Sequence, residues 1–269
     1  MKISVIIPTF NREKTICRSI QSVLKQTQPV DEIIVVDDCG TDQTKDVVLK
    51  MISELPAGML RYVKLEENGG PAHARNYGVS IAAGDWIAFH DSDDEWYPVK
   101  MEKQLDYLKE HPGTRFVYSA YEMDFAEGIV PLNLNMERYE GDMLPILLRH
   151  NTVGAPTMLM EKSLFEEVGG FDESMRALED WDFAIKVSKT GVLGFVPEPL
   201  MRADRVDRSV SYKAGHYFQY SCQLIARYLT DYQQYQLFDT VVTNLYHEAK
   251  QYNLASQIEK MLMLYLSMR

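Results

Sequence analysis

The sequence predicts an α/β fold in which a mainly parallel sheet is flanked by helices, followed by a C-terminal helical extension. The apolar runs at 3–8 and 32–38 are continuous and rich in β-branched residues, as expected for strands buried on both faces. Each run is followed by a segment whose apolar residues recur at helical spacing, such as 12–27. This alternation indicates right-handed βαβ units and therefore a largely parallel sheet.

The individual elements follow from the same two patterns. Strands are predicted at 3–8, 32–38, 60–65, 85–91, 115–123 and 156–162, and an extended segment at 192–203. Helices are predicted at 12–27, at 42–55, after the Gly-rich turn within 68–78, from Pro98 onward, from 162 to a stop at Gly169-Gly170, and at 179–191. Residues 128–151 are predicted to be mixed loop and helix, and from 212 onward apolar stripes such as Leu224/Ile225/Tyr228/Leu229 and Ile258/Met261/Leu262/Tyr265 predict further helices.

Composition excludes several classes of protein. The 269-residue chain has a net charge of −11 and no basic stripe, so nucleic acid is not expected as a partner. Cys17, Cys39 and Cys222 show neither metal-type spacing nor a disulfide pattern, which favours a reducing compartment. No apolar run is long enough for a signal peptide or a membrane span. We therefore expect a cytoplasmic protein without a transmembrane span, which can still lie at the inner face of the cell membrane.

Three predicted strands end in chemically distinctive residues, at Pro8-Thr9, at Asp37-Asp38 and at Asp91-Ser92-Asp93. Ligands of parallel α/β sheets bind beyond the carboxyl ends of the strands. Asp91 and Asp93 alternate, so their carboxylates point the same way and offer hard oxygen ligands to Mg²⁺ or Mn²⁺. A solvated acidic turn that caps the next helix would contain the same residues. The place of the acids at the end of a buried strand favours the metal interpretation.

Two further segments are candidates for a site. In "NGGPAHARN" the glycines allow backbone to approach a ligand, and Arg75 can reach a phosphate or a carboxylate; a plain turn with a surface arginine is equally compatible. In "ALEDWDFAIK" Glu179, Asp180 and Asp182 flank Trp181, which suits a general base beside an aromatic platform but also an ordinary acidic helix start. The chain has no GxGxxG, P-loop, GxSxG, HExxH or EF-hand pattern.

Five ordered segments together resemble the family 2 glycosyltransferases of the GT-A fold, the inverting type found in bacterial polysaccharide synthesis. They are "SVIIPTFNREKTICRSIQSVLKQT", "EIIVVDDCGTDQT", "ENGGPAHARNYGV", "GDWIAFHDSDDEW" and "VGGFDESMRALEDWDFAIKVSKTG", within about residues 1–210. The resemblance implies a Rossmann-like GT-A domain over 1–211, with a nucleotide-binding half at 1–97 and an acceptor half at 98–211, and a helical extension over 212–269. It also implies transfer of a sugar, from a UDP-sugar in most of the family, to a glycan or lipid-linked saccharide.

The resemblance further implies a role for each matching residue. Pro8 and Thr9 would line the nucleoside pocket, Asp38 would contact the base or ribose, and Arg75 would hold the nucleotide. Asp91, Ser92 and Asp93 match the DxD motif, with Asp93 and then Asp91 as ligands of Mn²⁺ or Mg²⁺. Asp180 matches the catalytic base, and Trp181 and Glu179 would border the acceptor.

The chain departs from the family pattern after the base. The family often has an Arg-x-His-x-x-Ser segment there, whereas "MRADRVDRSVS" has no histidine, with Val206 or Asp207 at that place. A third ligand to metal or diphosphate is therefore unassigned, and the candidates for the phosphates are Arg202, Arg205 and Arg208. His90 also stands where an apolar residue is common.

Two alternatives to a transferase stay open. A sugar nucleotidyltransferase would need a Gly-rich N-terminal phosphate loop, and "IIPTFNRE" has no glycine. A non-catalytic sugar-nucleotide or glycan binding module would not need Asp93 and Asp180, yet both are present. The Tyr-rich tail suits internal packing or a homodimer contact better than membrane binding, because it lacks a strongly basic face.

Overall fold

A computed structural model describes residues 1–125, 128–132, 142–204 and 214–252, with single positions between 254 and 267. Its strands are β1 (Ile3–Thr9), β2 (Glu32–Asp37), β3 (Leu60–Lys64), β4 (Trp86–Phe89), β5 (Glu95–Trp96), β6 (Phe116–Phe125), β7 (Gly128–Leu132), β8 (Leu159–Glu161) and β9 (Gly194–Asp204). Its helices are α1 (Ile16–Leu24), α2 (Thr44–Glu54), α3 (Pro71–Ile81), α4 (Lys100–Glu110), α5 (Leu144–Leu147), α6 (Lys162–Glu167), α7 (Glu179–Ser188), α8 (Ala214–Arg227), α9 (Leu229–Gln234) and α10 (Phe238–Gln251).

The described strands form one sheet in the order β3-β2-β1-β4-β8-β6-β9-β5, with β7 paired to β6. The first half, β3-β2-β1-β4, is entirely parallel, as the alternation of strand and helix predicted. Beyond it, β8 is antiparallel to both β4 and β6, and β6 pairs in parallel with β9. The predicted α/β class with flanking helices and a helical C-terminal region is confirmed, and the second half makes the whole sheet mixed. The described strands on both sides of residue 97 belong to this one sheet, and the predicted boundaries at 97 and 211 stay a prediction.

Three local assignments differ from the sequence prediction. The strand β5 has two residues, too few for an alternation pattern, and is defined by its pairing with β9. The segment β7 was predicted as loop or helix but forms a hairpin arm on β6, where Ile129 and Val130 are exposed. The predicted strand at 156–162 begins as a 3₁₀ turn at Ala155–Thr157, because Pro156 has no N–H to give a ladder, and becomes β8 only afterwards.

The C-terminal helices pack against the sheet domain. Buried residues of the extension, including Phe218, Leu224, Tyr232 and Leu245, belong to the same apolar core as Phe89, Phe165 and other residues of the domain. The apolar stripes of the tail are therefore buried within one chain, as far as the structure describes them. The predicted homodimer contact stays a prediction. Within the described ranges no helix is both long and apolar enough to cross a membrane.

Candidate active site

The site lies at the carboxyl ends of the parallel strands. The register pairs Thr9 of β1 with Asp37 of β2, and the N–H of His90, one residue past β4, donates to the carbonyl of Ile6 at 3.0 Å. Asp38 and Asp91, each just past the end of its strand, therefore stand at the same edge of the sheet. The sequence prediction that these strand ends converge is confirmed by the topology.

Arg75 connects the acidic strand end to the predicted catalytic pair. Its Nη2 donates to Oδ1 of Asp91 and its Nη1 donates to Oε1 of Glu179, both at 2.7 Å. The arginine is only 5% exposed, and its guanidinium lies 5.5 Å from the ring centre of Phe171. Burial opposes the charge of Arg75, but the two carboxylates outweigh burial and raise its pKa above the usual value. One buried cation thus joins Asp91 to Glu179, which lies 104 residues after Arg75 in the chain.

Asp180 is the half-buried carboxyl at the start of α7. Its Oδ1 accepts hydrogen bonds from Nδ2 of Asn151 at 3.1 Å and from the backbone N–H of Trp181 at 2.7 Å. Burial, and next the charge of Glu179, raise the pKa of Asp180 to about 7, while Arg75 acts in the opposite direction. A carboxyl that changes protonation near neutral pH has the property required of a general base.

The residue before this pair is held in a strained conformation. Leu178 has φ 63° and ψ 17°, the left-handed region, which is rare for a large side chain and clusters at functional sites. The left-handed residue Leu178 comes directly before the first residue of α7. From that start, Glu179 contacts Arg75 and Asp180 contacts Asn151.

Arginines neutralise the DxD segment in part. Nη2 of Arg12 lies 3.1 Å from Oδ2 of Asp93, and Nη2 of Arg18 donates to the carbonyl of Asp93 at 2.6 Å and to Asp204 at 2.7 Å. Burial and then the charge of Asp91 raise the pKa values of Asp93 and Asp94 above their usual range. Carboxylates therefore outnumber the cations that face them. In the described part of the chain, no group of three His, Cys, Asp or Glu side chains is placed to hold a metal ion.

Asp38 has a clear structural contact. Its two carboxylate oxygens accept the backbone N–H groups of Gly69 and Gly70, each at 2.8 Å. Gly70 has φ 90°, and a Cβ added there would lie 2.8 Å from Nη1 of the exposed Arg176. Asp38 thus holds the Gly-rich turn against the end of β2. Its predicted contact with a base or ribose stays a prediction.

The other predicted site residues are placed as follows. Pro8 and Ser92 are buried, and the hydroxyl of buried Thr9 has no hydrogen-bond partner among the described residues. The predicted nucleoside and nucleotide roles of these three residues stay predictions. Trp181 is 7% exposed, and its indole N–H donates to the carbonyl of Leu147, which packs the ring inside the protein. The predicted acceptor roles of Trp181 and Glu179 stay predictions.

Among the candidate phosphate ligands, only Arg202 lies within the described residues. Its Nη2 is 2.9 Å from Oε2 of Glu95, across the β5–β9 pairing. Arg205 and Arg208 lie outside the described residues, as do Val206 and Asp207.

His90 is a packing residue in this structure. Its ring is fully buried, lies 4.8 Å from the ring of Trp96, and has Nε2 3.2 Å from the hydroxyl of Ser22. Burial, and then the nearby Lys100, lower the pKa of His90 to about 3, so the imidazole is neutral. An imidazole at this position thus packs as a neutral ring with polar contacts to α1.

Four residues at the site were missed from the sequence. They are Arg12, Arg18, Asn151 and Arg176. Arg12 follows β1 by three residues, so the strand-end argument that selected Pro8 and Thr9 could have found it. Asn151 lies in a segment without periodicity and offered no such signal.

Fold and site together define a class: an α/β domain whose polar site lies at the carboxyl edge of its parallel strands. The chain belongs to Glycosyl transferase family 2, whose sequence model matches residues 4–169. It is therefore a glycosyltransferase with a GT-A-like fold, and the family resemblance is confirmed.

Individual relatives agree with this assignment. An uncharacterized glycosyltransferase of Haemophilus influenzae is 30% identical over 80% of this chain and 68% of its own length. A Bacillus subtilis protein named for teichuronic acid biosynthesis, TuaG, is 32% identical over 78% of this chain and 81% of its own length. The chain spans only 28% of an uncharacterized glycosyltransferase of Rickettsia bellii and 32% of one of Rickettsia felis.

Two solved structures are similar in fold. S. aureus TarS 1-349 in complex with UDP-GlcNAc is 28% identical, with a TM-score of 0.69, over 84% of this chain and 66% of that one. The mannosyltransferase PcManGT of Pyrobaculum calidifontis is 20% identical, with a TM-score of 0.67, over 99% of this chain and 74% of that one. The second match concerns the fold alone.

Proposed function

We propose that this chain transfers a sugar from a nucleotide-diphosphate sugar to a hydroxyl of a glycan or lipid-linked saccharide, with Asp180 as general base and inversion at the anomeric carbon. The proposal depends most on the two ion pairs of Arg75. The guanidinium of Arg75 contacts Asp91 of the DxD segment and Glu179, the residue next to the base, each at 2.7 Å. A donor at the strand ends and a base at the start of α7 would then have a fixed separation.

A UDP-sugar is the donor that the relatives favour. TarS, at 28% identity, was solved with UDP and with UDP-GlcNAc. In this chain the Gly-rich turn is held at the same edge by Asp38, and the guanidinium of Arg176 lies beside that turn. The name of TuaG supports a cell-surface polysaccharide as the acceptor class.

The residues present suit a divalent cation that takes most of its ligands from water and the diphosphate. Asp91 and Asp93 are two oxygen donors from one strand end, with side chains 32% and 18% exposed. Burial raises the pKa values of Asp93 and Asp94 most, and the charge of Asp91 raises them further; a bound cation would offset the repulsion between these carboxylates. Bound Mn²⁺ or Mg²⁺ would neutralise the diphosphate as the leaving group.

The protein's own groups perform the rest of the proposed reaction. Within the described residues both contacts of Asp180 go to Oδ1, so we assign Oδ2 to the acceptor proton. As that proton moves to Oδ2, the acceptor oxygen forms its bond to the anomeric carbon. The bond from that carbon to the diphosphate breaks and its electron pair leaves on the diphosphate oxygen. A base positioned in this way contributes about 10²–10⁴ to the rate.

A panel of UDP-, GDP- and dTDP-sugars with Mn²⁺ tests this function, by thermal shift and by slow hydrolysis of the donor. We expect one UDP-sugar to raise the Tm and to be hydrolysed, and exhaustive chelation to abolish hydrolysis. Stabilisation without turnover, even with saccharide acceptors added, would indicate a binding module instead. If no nucleotide sugar binds, the proposed function is wrong; full activity after chelation would remove only the metal.

A further inference from the structure

We propose that Arg227, in the C-terminal extension, is a positioning residue for the helix that bears the catalytic base. The inference rests on the proposed function, because it takes Asp180 as that base. It makes the extension a part of the active-site framework, although Arg227 lies 58 residues beyond the end of the family match at 169.

The first contact is with α7 itself. Asp182, two residues after Asp180, is fully buried. Its Oδ1 accepts hydrogen bonds from Nη1 of Arg227 and from the hydroxyl of Tyr228, both at 2.7 Å, and its Oδ2 lies 3.4 Å from Nζ of Lys186. A buried carboxylate of this kind is tolerated only with a charged partner, and Arg227 is the closer of its two cations.

The second contact is with the loop that leads into α7. Nη2 of Arg227 forms an ion pair with Asp172. The neighbouring Phe171 is fixed on α3, since its N–H and carbonyl both bond to the Asn76 side chain at 3.0 and 2.9 Å. One guanidinium therefore holds the chain at residues 172 and 182, on either side of Asp180.

The strained residue lies between these two points. Leu178 keeps its left-handed conformation, φ 63°, midway along the segment that Arg227 spans. Such a conformation persists only where the surroundings impose it. Without the ion pairs, we expect residues 173–181 to relax and Asp180 to move relative to Asn151.

The extension offers a matched control. Lys189, just past the end of α7, pairs with Asp231 of α9 at 2.6 Å. This pair also joins the extension to α7, but it lies nine residues from Asp180, about 14 Å along a helix. Its loss removes an ion pair between the extension and the end of α7 without changing a contact of residues 172–182.

The test compares Arg227→Gln with Asp231→Asn, measuring kcat, KM for the nucleotide sugar, and Tm. We expect Arg227→Gln to lower kcat about 10- to 100-fold, the cost of a misplacement on the order of 1 Å. Its KM should stay within about twofold, because the donor binds at the strand ends. Asp231→Asn should match wild type in both constants. Equal kcat values for the two variants would overturn the proposal.

A double variant separates positioning from simple neutralisation of a buried charge. Arg227→Met with Asp182→Asn removes both charges, so we expect its Tm to recover towards wild type even where Arg227→Gln folds poorly. The kcat of the double variant should stay low. If kcat recovers together with Tm, Arg227 is merely structural.

Amide hydrogen exchange gives an answer that does not depend on catalysis. We expect the amides of residues 176–182 to exchange faster in Arg227→Gln than in Asp231→Asn. The exchange rates can be measured whether or not the chain transfers a sugar. The result therefore distinguishes a failure of the positioning role from a failure of the proposed function. Unchanged protection of 176–182 would contradict the positioning role.

Discussion

At the residue scale, the surroundings of Asp180 oppose its ionisation. Burial and Glu179 raise its pKa to about 7, from an ordinary value of about 4 in an unfolded chain. Between these two values the unfolded chain releases the proton and the folded chain keeps it, so ionisation of this group destabilises the fold as the pH rises. The site therefore keeps its base reactive at a cost in stability.

We accordingly expect Asp180→Asn to have a higher Tm than wild type, because the variant has no carboxylate to ionise there. The difference should grow from about pH 4 to about pH 7 and stay constant above, as linkage requires. Thermal unfolding across this range measures it. A difference that is independent of pH would mean that the pKa of Asp180 is not raised in the folded protein.

The burial of Arg75 decides how much its ion pairs contribute to stability. Arg75→Met leaves Asp91 and Glu179 without their cation, and we expect it to lower the free energy of unfolding by about 3–5 kcal/mol in urea titrations. Arg115 is the matched control, since it also bridges two carboxylates, Glu161 and Glu167, at 2.8 Å, but is 37% exposed. Arg115→Met should leave the urea midpoint almost unchanged. Equal losses would contradict the assignment of Arg75 as a buried structural cation.

At the element scale, the Gly-rich turn before α3 depends on the end of β2. Asp38 accepts two amide hydrogens from this turn, and an asparagine could accept only one of them. In Asp38→Asn one charged hydrogen bond that holds the Gly-rich turn is lost. We therefore expect the variant to bind UDP, GDP and dTDP more weakly, by at least roughly tenfold and equally for the three nucleotides. Isothermal titration of the three nucleotides measures this.

The control for this prediction is Asp31→Asn. Asp31 also holds a backbone amide, that of Ile3 at 2.7 Å, but at the amino end of β1, and its loss should leave nucleotide binding unchanged. A change in preference among the bases would show instead that Asp38 contacts the base, as the family resemblance implied.

Elements with enough residues to show a period were predictable. The order β1-α1-β2-α2-β3-α3-β4-α4 follows from apolar runs and helical spacing, and its parallel pairing from the alternation alone. The strands β5 and β7 could not be predicted, because they are defined by their partners β9 and β6 rather than by a pattern of their own.

At the scale of the whole molecule, strand ends predicted much of the site. Asp91, Asp38 and Thr9 were placed together because parallel strands end at one edge, and the structure adds Arg75 as the link to Glu179. The contact of Arg227 with Asp182 joins distant segments and has no local signature, whereas Arg12, which contacts Asp93, follows the end of β1 and was missed. The acidic residues of the site were therefore more predictable from the sequence than the arginines that pair with them.

The packing of the tail changes how the molecule is divided. The sequence predicted an extension beginning at 212, and its helices share one apolar core with the sheet domain. Through Arg227 the tail contacts the helix of Asp180 and the loop before it. A truncation within this tail would therefore be expected to alter the site as well as the surface.

The most direct test of the central claim compares Asp180→Asn with wild type, measuring UDP affinity by titration and turnover of the preferred nucleotide sugar under the same conditions. We predict that UDP binds the variant within about twofold of wild type, while turnover falls by about 10²–10⁴, the contribution of a general base. Turnover near the wild-type rate would contradict the assignment of Asp180 as the base.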